Sequence, residues 1–346
     1  MRVFLLMLLA CDCSASAPEA EAPQRRRAQQ PRAEWLKGQL HMHTGFSGDS
    51  RTPPEDALAW YAAHDFDFVV VTDHNHVTVG QNHGDMLVLP GAELTQNVRR
   101  CLPASQLADH CPLHVNALVV DPRHEGFVHL RAFGIPARRD VFTDSIERAR
   151  RLGGIAQLNH PNYQYGADAA LLTELASRGL RLFEVANEAV DSNNDGGSEP
   201  STMELWDAVL RRGHRLWGTA TDDAHHYNDA ETVRRSGGIA HVGNRGWVVV
   251  HAARDPAAIR NALRDGRFYS SNGVELAALD VSEDVLRIET EHEHTFELIS
   301  QGRAIHEARG TRVRFELSAL SPGEYVRAVI RDEEGRSAWT QPAFRE

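Results

Sequence analysis

Short apolar runs alternating with amphipathic stretches constrain the fold of this chain more than any other feature. The runs are rich in β-branched residues, and the stretches between them have the spacing of helices. The predicted strands are GQLHMH, FDFVVVT, DMLVLPG, HVNALVV, GGIAQLN, LRLFEVA and HRLWGTA. The predicted helices include PPEDALAWYAAH, TDSIERARRLG, AALLTELASRG and STMELWDAVLRRG. This alternation is typical of α/β proteins with a parallel sheet, either a closed or nearly closed β/α barrel or an open doubly wound sheet.

The pattern changes at about Val274, where the alternation of strand and helix stops. The segments LRIETE, HTFELIS, TRVRFELS and YVRAVIRD alternate with period two and are separated by turn residues. This pattern predicts a small C-terminal antiparallel β-sandwich domain over residues 274–346. Residues 35–273 are then expected to form the larger domain.

The first residues have the composition of an export signal. Met1 and Arg2 precede the apolar run VFLLMLLA, which is shorter than the roughly 20 residues that span a bilayer. Residues 1–10 therefore predict a signal peptide, and residues 11–34 predict a disordered tether. The sequence LLAC resembles a bacterial lipobox, which implies a lipidated Cys11 that anchors the exported protein to the periplasmic or cell-surface side of a bacterial membrane. A chance cysteine in an irregular N-terminus is the alternative.

Export also bears on two further cysteines. Cys101 and Cys111 are ten residues apart, and an oxidising compartment would allow them to form a disulfide. Two reduced, buried thiols are the alternative.

Charge and motifs exclude several classes of function. The chain has 37 Lys and Arg against 48 Asp and Glu, a net charge of −11, which disfavours nucleic-acid binding. It has no G-x-S-x-G elbow, no phosphate-binding loop of the G-x-x-x-x-G-K-S/T type and no C-x-x-C pair.

Residues of the types that bind divalent cations, His, Asp and Glu, follow five of the predicted strands. The strand ends are Thr72-Asp73-His74, Ala92-Glu93, Asn159-His160, Asn187-Glu188 and the segment from Asp222 to His226. His41 and His43 belong to the first strand, and Asp49 follows. Since the carboxyl ends of parallel strands meet at one edge, we expect these side chains to converge. Imidazoles and carboxylates without thiolates indicate Zn²⁺, Mn²⁺ or Fe²⁺. Scattered structural polar residues are the alternative.

This set of residues resembles the PHP (polymerase and histidinol phosphatase) superfamily of metal-dependent hydrolases. The matching motifs are His41-Met42-His43 with Asp49, Thr72-Asp73-His74, Gly91-Ala92-Glu93, His114, His160-Pro161 and Asp223-Ala224-His225. The resemblance extends from about Gln39 to about Gly273 and implies a distorted (β/α)7 barrel. The export signal and the C-terminal β segment look most like the branch that contains carbaryl-type ester and carbamate hydrolases.

The resemblance implies a site for two or three divalent metal ions. The first ion would be held by His41, His43, Glu93 and Asp223. Glu93 would bridge to a second ion, held by His114 and His160, and a third would be held by Asp49, His74 and His225. Asp49, Glu93, Asp223 and His225 are also expected to take part in catalysis.

Two features of this ligand set leave alternatives open. His114 opens its apolar run instead of ending it, so its side-chain direction is not fixed by the pattern. In DDAHH, Asp222 or His226 could replace the neighbouring ligand. Asp73, Asp222 and Asn159 are expected to orient the ligand imidazoles, with N-capping or turn formation as the alternative. Tyr163 and Tyr165 are candidates for substrate contact.

The expected reaction is metal-assisted hydrolysis of a small-molecule ester. Two ions about 3.5–4 Å apart lower the pKa of a shared water and neutralise developing charge, which favours anionic phosphate esters. A carbamate, ester or amide hydrolase and a non-catalytic metal-binding surface lipoprotein are the alternatives. A pocket rich in Lys and Arg would favour the phosphoesterase, and an apolar pocket the neutral substrates. Arg99 and Arg100, which follow Glu93, favour an anion.

Overall fold

The computed structural model describes residues 32–105 and 109–346. The predicted signal peptide, Cys11 and most of the predicted tether lie outside these residues. The described ranges form a mixed α/β structure with one large sheet and six α-helices. In these ranges, no helix has the length and the apolar character needed to cross a bilayer.

All seven predicted strands and all four predicted helices appear before residue 222. In chain order, the elements there are β1 (Glu34–Gln39), α1 (Pro54–Ala62), β2 (Phe68–Val71), β3 (His76–Val77), β4 (Leu87–Val98), β5 (Cys111–Leu118), β6 (Gly126–Phe127), α2 (Arg138–Arg151), β7 (Ile155–Leu158), α3 (Ala169–Ser177), β8 (Leu182–Asn187), α4 (Thr202–Leu210) and β9 (Trp217–Thr221). The longest strand of this region, β4, continues well past its predicted end at Gly91.

The remaining elements are mostly strands. They are α5 (Ala230–Arg235), β10 (Trp247–Ala252), α6 (Pro256–Asp265), β11 (Phe268–Ser271), β12 (Ala278–Val281), β13 (Val285–Ser300), β14 (Arg303–Glu316), β15 (Tyr325–Arg331), β16 (Ser337–Thr340) and β17 (Ala343–Phe344). The two strands predicted as LRIETE and HTFELIS are one long strand, β13, with a register shift between Glu289 and His294 where it pairs with β14.

Most of these strands belong to one fifteen-stranded sheet. Its main path runs β12-β13-β15-β16-β11-β10-β1-β2-β4-β5-β7-β8-β9, with β14 paired to β13 and β17 to β15. The pairs β1–β2, β2–β4, β7–β8 and β8–β9 are parallel, whereas β5 is antiparallel to both of its neighbours. The chain after residue 273 is antiparallel as predicted and pairs with β11 through β16. The domain boundary at residues 273–274 stays a prediction.

The chain just after β1 lies beside the chain just after β9. The His43 amide donates to the Ala224 carbonyl at 2.9 Å, and the Asp223 amide donates to the His41 carbonyl at 3.0 Å. The buried Asp222 carboxylate reinforces this contact, because it accepts from the Gln39 side chain. The metal-ligand candidates of both segments are thereby held next to each other.

A disulfide joins Cys101 to Cys111 across the connection between β4 and β5. Of the two alternatives for these cysteines, a disulfide or two reduced thiols, the structure has the disulfide. Residues 106–108 of the connection lie outside the described residues.

A buried ion pair fixes the C-terminal strands to helix α4. Arg327, only 1% exposed, donates to both carboxylate oxygens of Asp207, at 2.9 and 2.6 Å. The Tyr325 hydroxyl donates to the same carboxylate at 2.7 Å. Removing one partner of such a pair leaves an uncompensated buried charge.

We expect Asp207→Ala to lower the free energy of unfolding by about 3–5 kcal/mol, because Arg327 would remain buried without a counter-charge. Asp140→Ala is the control, since its ion pair with Arg139 is exposed and is expected to contribute less than about 1 kcal/mol. Denaturant titration followed by circular dichroism measures both values. Equal losses in the two variants would contradict the prediction.

Candidate metal centre

The nine predicted ligands lie together where the parallel strands end. They form three overlapping groups whose ligand atoms are within 4.8 Å of one another: His41, His43 and Glu93; Glu93, His114 and His160; and His43, Asp49, His74 and His225. The ninth, Asp223, contacts the first group. Each group contains imidazole and carboxylate ligands, a donor set suited to Zn²⁺, Mn²⁺ or Fe²⁺.

Glu93 is the residue that the first two groups share. It is 1% exposed and belongs to β4. Its Oε1 lies 3.4 Å from His41 Nε2, 3.2 Å from His114 Nδ1 and 3.6 Å from His160 Nε2. One carboxylate therefore faces the ligand nitrogens of both groups, as a bridging ligand between two cations must.

Asp223 completes the first group. Its Oδ1 lies 3.2 Å from His41 Nε2 and 3.1 Å from His43 Nε2. Although His41 Nε2 is fully buried, it has no hydrogen-bond partner in the described part of the chain. Leaving a buried polar atom unpaired is costly, and a cation between this nitrogen and the two carboxylates would remove the cost. The residues present therefore fit a metal ion here.

The third group is the most accessible. Asp49 Oδ2 lies 2.9 Å from His74 Nε2 and 3.3 Å from His225 Nε2, and the Asp49 side chain is 51% exposed. The other ring nitrogen of His74, Nδ1, faces Glu93 Oε2 at 2.6 Å. His43 belongs to both the first and third groups, but Ser47 binds its Nδ1 at 2.8 Å. With only Nε2 free, His43 can serve one ion at a time.

The direction of β5 explains the unusual position of His114. Because β5 is antiparallel to β4 and β7, its first residues lie near the carboxyl ends of the parallel strands. His114 pairs with Thr95 in register, which brings its side chain next to Glu93. Its Nε2 is bonded to Asn97 Oδ1 at 3.0 Å, so Nδ1 remains for a cation.

The structure also distinguishes between the neighbours in DDAHH. Asp222 faces away from the cluster and accepts from Gln39, Tyr61 and the backbone amides of residues 244–246. Asp223 faces the cluster instead, in a left-handed conformation with φ of 51°. His160 is also left-handed, with φ of 27°. Such conformations cost free energy and persist where the surroundings enforce them, often at functional sites.

The residues that orient the imidazoles differ from those predicted. In the described part of the chain, Asp222 has no hydrogen bond to a candidate-ligand imidazole, Asn159 donates to Glu93 at 2.9 Å, and Asp73 accepts from Ser47. In the described residues, the prediction that these three orient the imidazoles is therefore wrong for Asp222 and Asn159, whereas Asp73 acts on His43 through Ser47. The groups that hold the ring nitrogens are Glu184 for His41, Ser47 for His43, Thr95 for His74, Asn97 for His114 and the Asp223 carbonyl for His225. Glu184, a charged residue in an apolar run, is the one with a signal in the sequence.

Nearby carboxylates raise the pKa values of several imidazoles in the cluster. Burial opposes the charged form of His74, but Glu93 and Asp49 outweigh it and raise its pKa to about 10. Burial is likewise outweighed by nearby carboxylates at His41, His160 and His225, whose pKa values are also raised. Burial and the charges of His225 and His74 lower the pKa of His43 to about 4. Protons and metal ions therefore compete for the same ligands.

The cluster forms one wall of an open cavity of about 600 Å³. Its other described lining residues include Tyr163, Asn187, Asp191, His110, His226 and His241. No Lys or Arg is among the described residues that line it, and the exposed Arg99 and Arg100 lie outside the lining. The predicted contribution of these two arginines to anion binding thus has no support. Tyr165 is not in the lining, and its hydroxyl donates to the Gly196 carbonyl.

Zn²⁺ binding is expected to release protons at pH 7, because His74 with a pKa of about 10 must lose its proton to act as a ligand. Below that pKa, a higher pH weakens the competition from protons. The affinity of the third group should therefore rise about tenfold per pH unit between pH 6.5 and 8.5 for each displaced proton. Calorimetry in two buffers with different ionisation enthalpies measures the release. Heats that are identical in the two buffers would contradict it.

No protein-family model matches the chain, and no curated protein matches its sequence. The residues of the site are therefore the basis for assigning a function.

Proposed function

We propose that this chain is a metal-dependent hydrolase that activates water at a multinuclear cluster, with small phosphate esters as its favoured substrates. The observation that carries the proposal is the position of Glu93, whose carboxylate faces ligand nitrogens of two groups beside an open cavity. A shared carboxylate of this kind holds two cations close enough to act on one water molecule. Bound cations would supply an activated water and neutralise charge on the substrate.

The protein's own contribution is to fix and orient these ligands. Asn187 Nδ2 donates to Asp223 Oδ2 at 3.1 Å, which leaves Oδ1 directed at His41 and His43. Asn159 Nδ2 also restrains the Glu93 carboxylate, by donating to Oε1 at 2.9 Å. Asp49 and His225 lie on the accessible side of the cluster, where a substrate would approach and its leaving group would depart.

Charge balance supports an anionic substrate. The candidate ligands include three carboxylates, Asp49, Glu93 and Asp223. Three divalent ions would more than neutralise these three and the adjacent Glu184 carboxylate, and would leave the centre positive. A phosphate ester brings the complementary negative charge and needs no arginine to be attracted.

We further propose membership of the PHP superfamily and a distorted (β/α)7 barrel. The strands β1, β2, β4, β5, β7, β8 and β9 are neighbours in that order, which supports the barrel. The backbone hydrogen bonds between His41–His43 and Asp223–Ala224 provide the contact that a closed arrangement needs. Export and lipid anchoring through Cys11 belong to the same proposal and rest on the sequence of residues 1–11.

A neutral carbamate, ester or amide is the second candidate substrate. The specific observation in its favour is the absence of Lys and Arg from the described lining of the cavity. An anionic substrate would then depend on the metal ions alone for its counter-charge. The lining is nevertheless polar and rich in histidine, whereas an apolar substrate would favour an apolar wall.

The purified chain should contain at least two equivalents of transition metal, and His43→Ala should lose metal together with phosphatase activity. We expect the activity to fall by more than about a hundredfold, since even residues that only orient a metal ligand contribute 10- to 100-fold. Elemental analysis and p-nitrophenyl phosphate hydrolysis measure the two effects. His306→Ala is the control, because this exposed histidine lies on β14 and belongs to none of the three groups. A metal-free chain after reconstitution would overturn the proposal.

Substrate charge separates the two candidates. With the metal-loaded chain, we expect p-nitrophenyl phosphate or its bis-phosphate to be hydrolysed with a higher kcat/KM than p-nitrophenyl acetate, because the positive centre stabilises the phosphoryl oxygens more strongly. The same chromophore reports all three reactions. Hydrolysis of the acetate alone, with metal retained, would favour the neutral-ester alternative.

A further inference from the structure

Glu184 is a fully buried carboxylate in the middle of strand β8. Its partners are five neutral or imidazole donors, and none is a Lys or Arg. A buried carboxylate is costly unless its hydrogen bonds compensate for the lost water. The identity of these donors indicates what the residue does.

The two oxygens of Glu184 serve two different metal-ligand groups. Oε1 accepts from His41 Nδ1 at 2.7 Å, which fixes the ring with Nε2 directed at Glu93 and Asp223. Oε2 accepts from the backbone amide of His160 at 2.6 Å. His160 has the left-handed φ of 27°. The hydrogen bond to its amide therefore stabilises the backbone conformation that directs the His160 side chain at Glu93.

A third ligand is reached through Asn187. Its Nδ2 donates both to Glu184 Oε2 at 2.8 Å and to Asp223 Oδ2 at 3.1 Å. Thr221 and Gln157 complete the shell by donating to Oε1 at 2.7 and 3.2 Å. With its bonds thus saturated, the carboxylate has little freedom to move.

The third group is held by other residues. Asp49 contacts His74 and His225 directly, and the Nδ1 atoms of those rings face Thr95 and the Asp223 carbonyl. Neither imidazole has a hydrogen bond to Glu184 in the described structure. A change at Glu184 should therefore affect the groups unequally.

We propose that Glu184 is a positioning residue that couples the first two metal sites, by holding His41 in one and His160 in the other. This inference rests on the proposed metal-dependent function. Loss of the Glu184 charge weakens binding at both of these sites together and leaves the site of Asp49, His74 and His225 intact. The expected loss of affinity is about 10- to 100-fold, the usual effect of a residue that orients metal ligands.

Zn²⁺ binding to the full chain tests the proposal, measured by equilibrium dialysis in metal buffers with elemental analysis. Glu184→Gln keeps the size of the side chain but removes its charge. Three chains are compared: the unsubstituted chain, the Glu184→Gln variant, and a variant that combines Glu184→Gln with His225→Ala. The second substitution removes a candidate ligand of the third site. We expect Glu184→Gln alone to retain the ion of the third site, and the combined variant to lose nearly all bound Zn²⁺.

Asp207→Asn is the matched control. Asp207 is also a buried carboxylate with several hydrogen bonds, but its donors are Tyr325 and Arg327, and it belongs to none of the three groups. We expect it to lower the free energy of unfolding while Zn²⁺ affinity stays within about threefold, well under the 10- to 100-fold effect of an orienting residue. Equal loss of Zn²⁺ in the two variants would make the effect one of folding and overturn the inference.

Two other outcomes also decide the matter. If the unsubstituted chain binds Zn²⁺ and Glu184→Gln binds it equally well at all sites, the inference fails while the proposed function stands. If the unsubstituted chain binds no Zn²⁺, the proposed function itself fails.

A second variant is available if Glu184→Gln does not fold. Glu184→Asp keeps the charge but is too short to reach both His41 and His160. It should show the same selective loss, and unchanged affinity in it would overturn the inference.

Discussion

The Glu93 carboxylate is the group around which the rest of the site is arranged. It is 1% exposed, and its oxygens face the ring nitrogens of His41, His74, His114 and His160. A carboxylate in such surroundings stays charged only if positive charge is close by. Accordingly, the surrounding imidazoles, His114 and His74 foremost, outweigh the effect of burial and hold its pKa well below the usual value. Cations would supply the same compensation, with more charge per site.

The sequence predicted the strands and the convergence of the candidate ligands, because one pattern encodes both. A parallel strand that ends on His or Asp carries its ligand to the common edge, and this holds for His74, His160 and Asp223. The direction of His114 could not be predicted in this way. Its position depends on β5 being antiparallel, a property of the pairing with β4 and β7 that no local pattern records. The extension of β4 beyond Gly91 was missed for a similar reason, since its outer half is defined by pairing with β5.

The residues that support the ligands were harder to predict than the ligands themselves. Asp222 stands next to a ligand in the chain, yet it binds the backbone of residues 244–246. Glu184 stands far from every ligand in the chain, yet it binds His41 and the His160 amide. Hydrogen bonds between side chains depend on which strands are neighbours, and sequence adjacency is a poor guide to that. A charged residue within the apolar run of β8 was the available signal, because such a residue must be paired when buried.

Burial differs between the groups, and this difference has chemical consequences. His41 and Glu93 are almost completely buried. Glu184 connects the first two groups, because it accepts hydrogen bonds from the His41 ring and from the His160 amide. The Asp49 side chain is half exposed, so the third group is open to solvent. In the proposed metal centre, the two buried groups would hold two cations, and the accessible group would be the one that a substrate reaches. Since the described lining of the cavity offers no Lys or Arg, the proposed metal ions would be the main source of attraction for an anion. Substrate charge preference would then follow metal occupancy, and both would depend on the same competition between cations and protons.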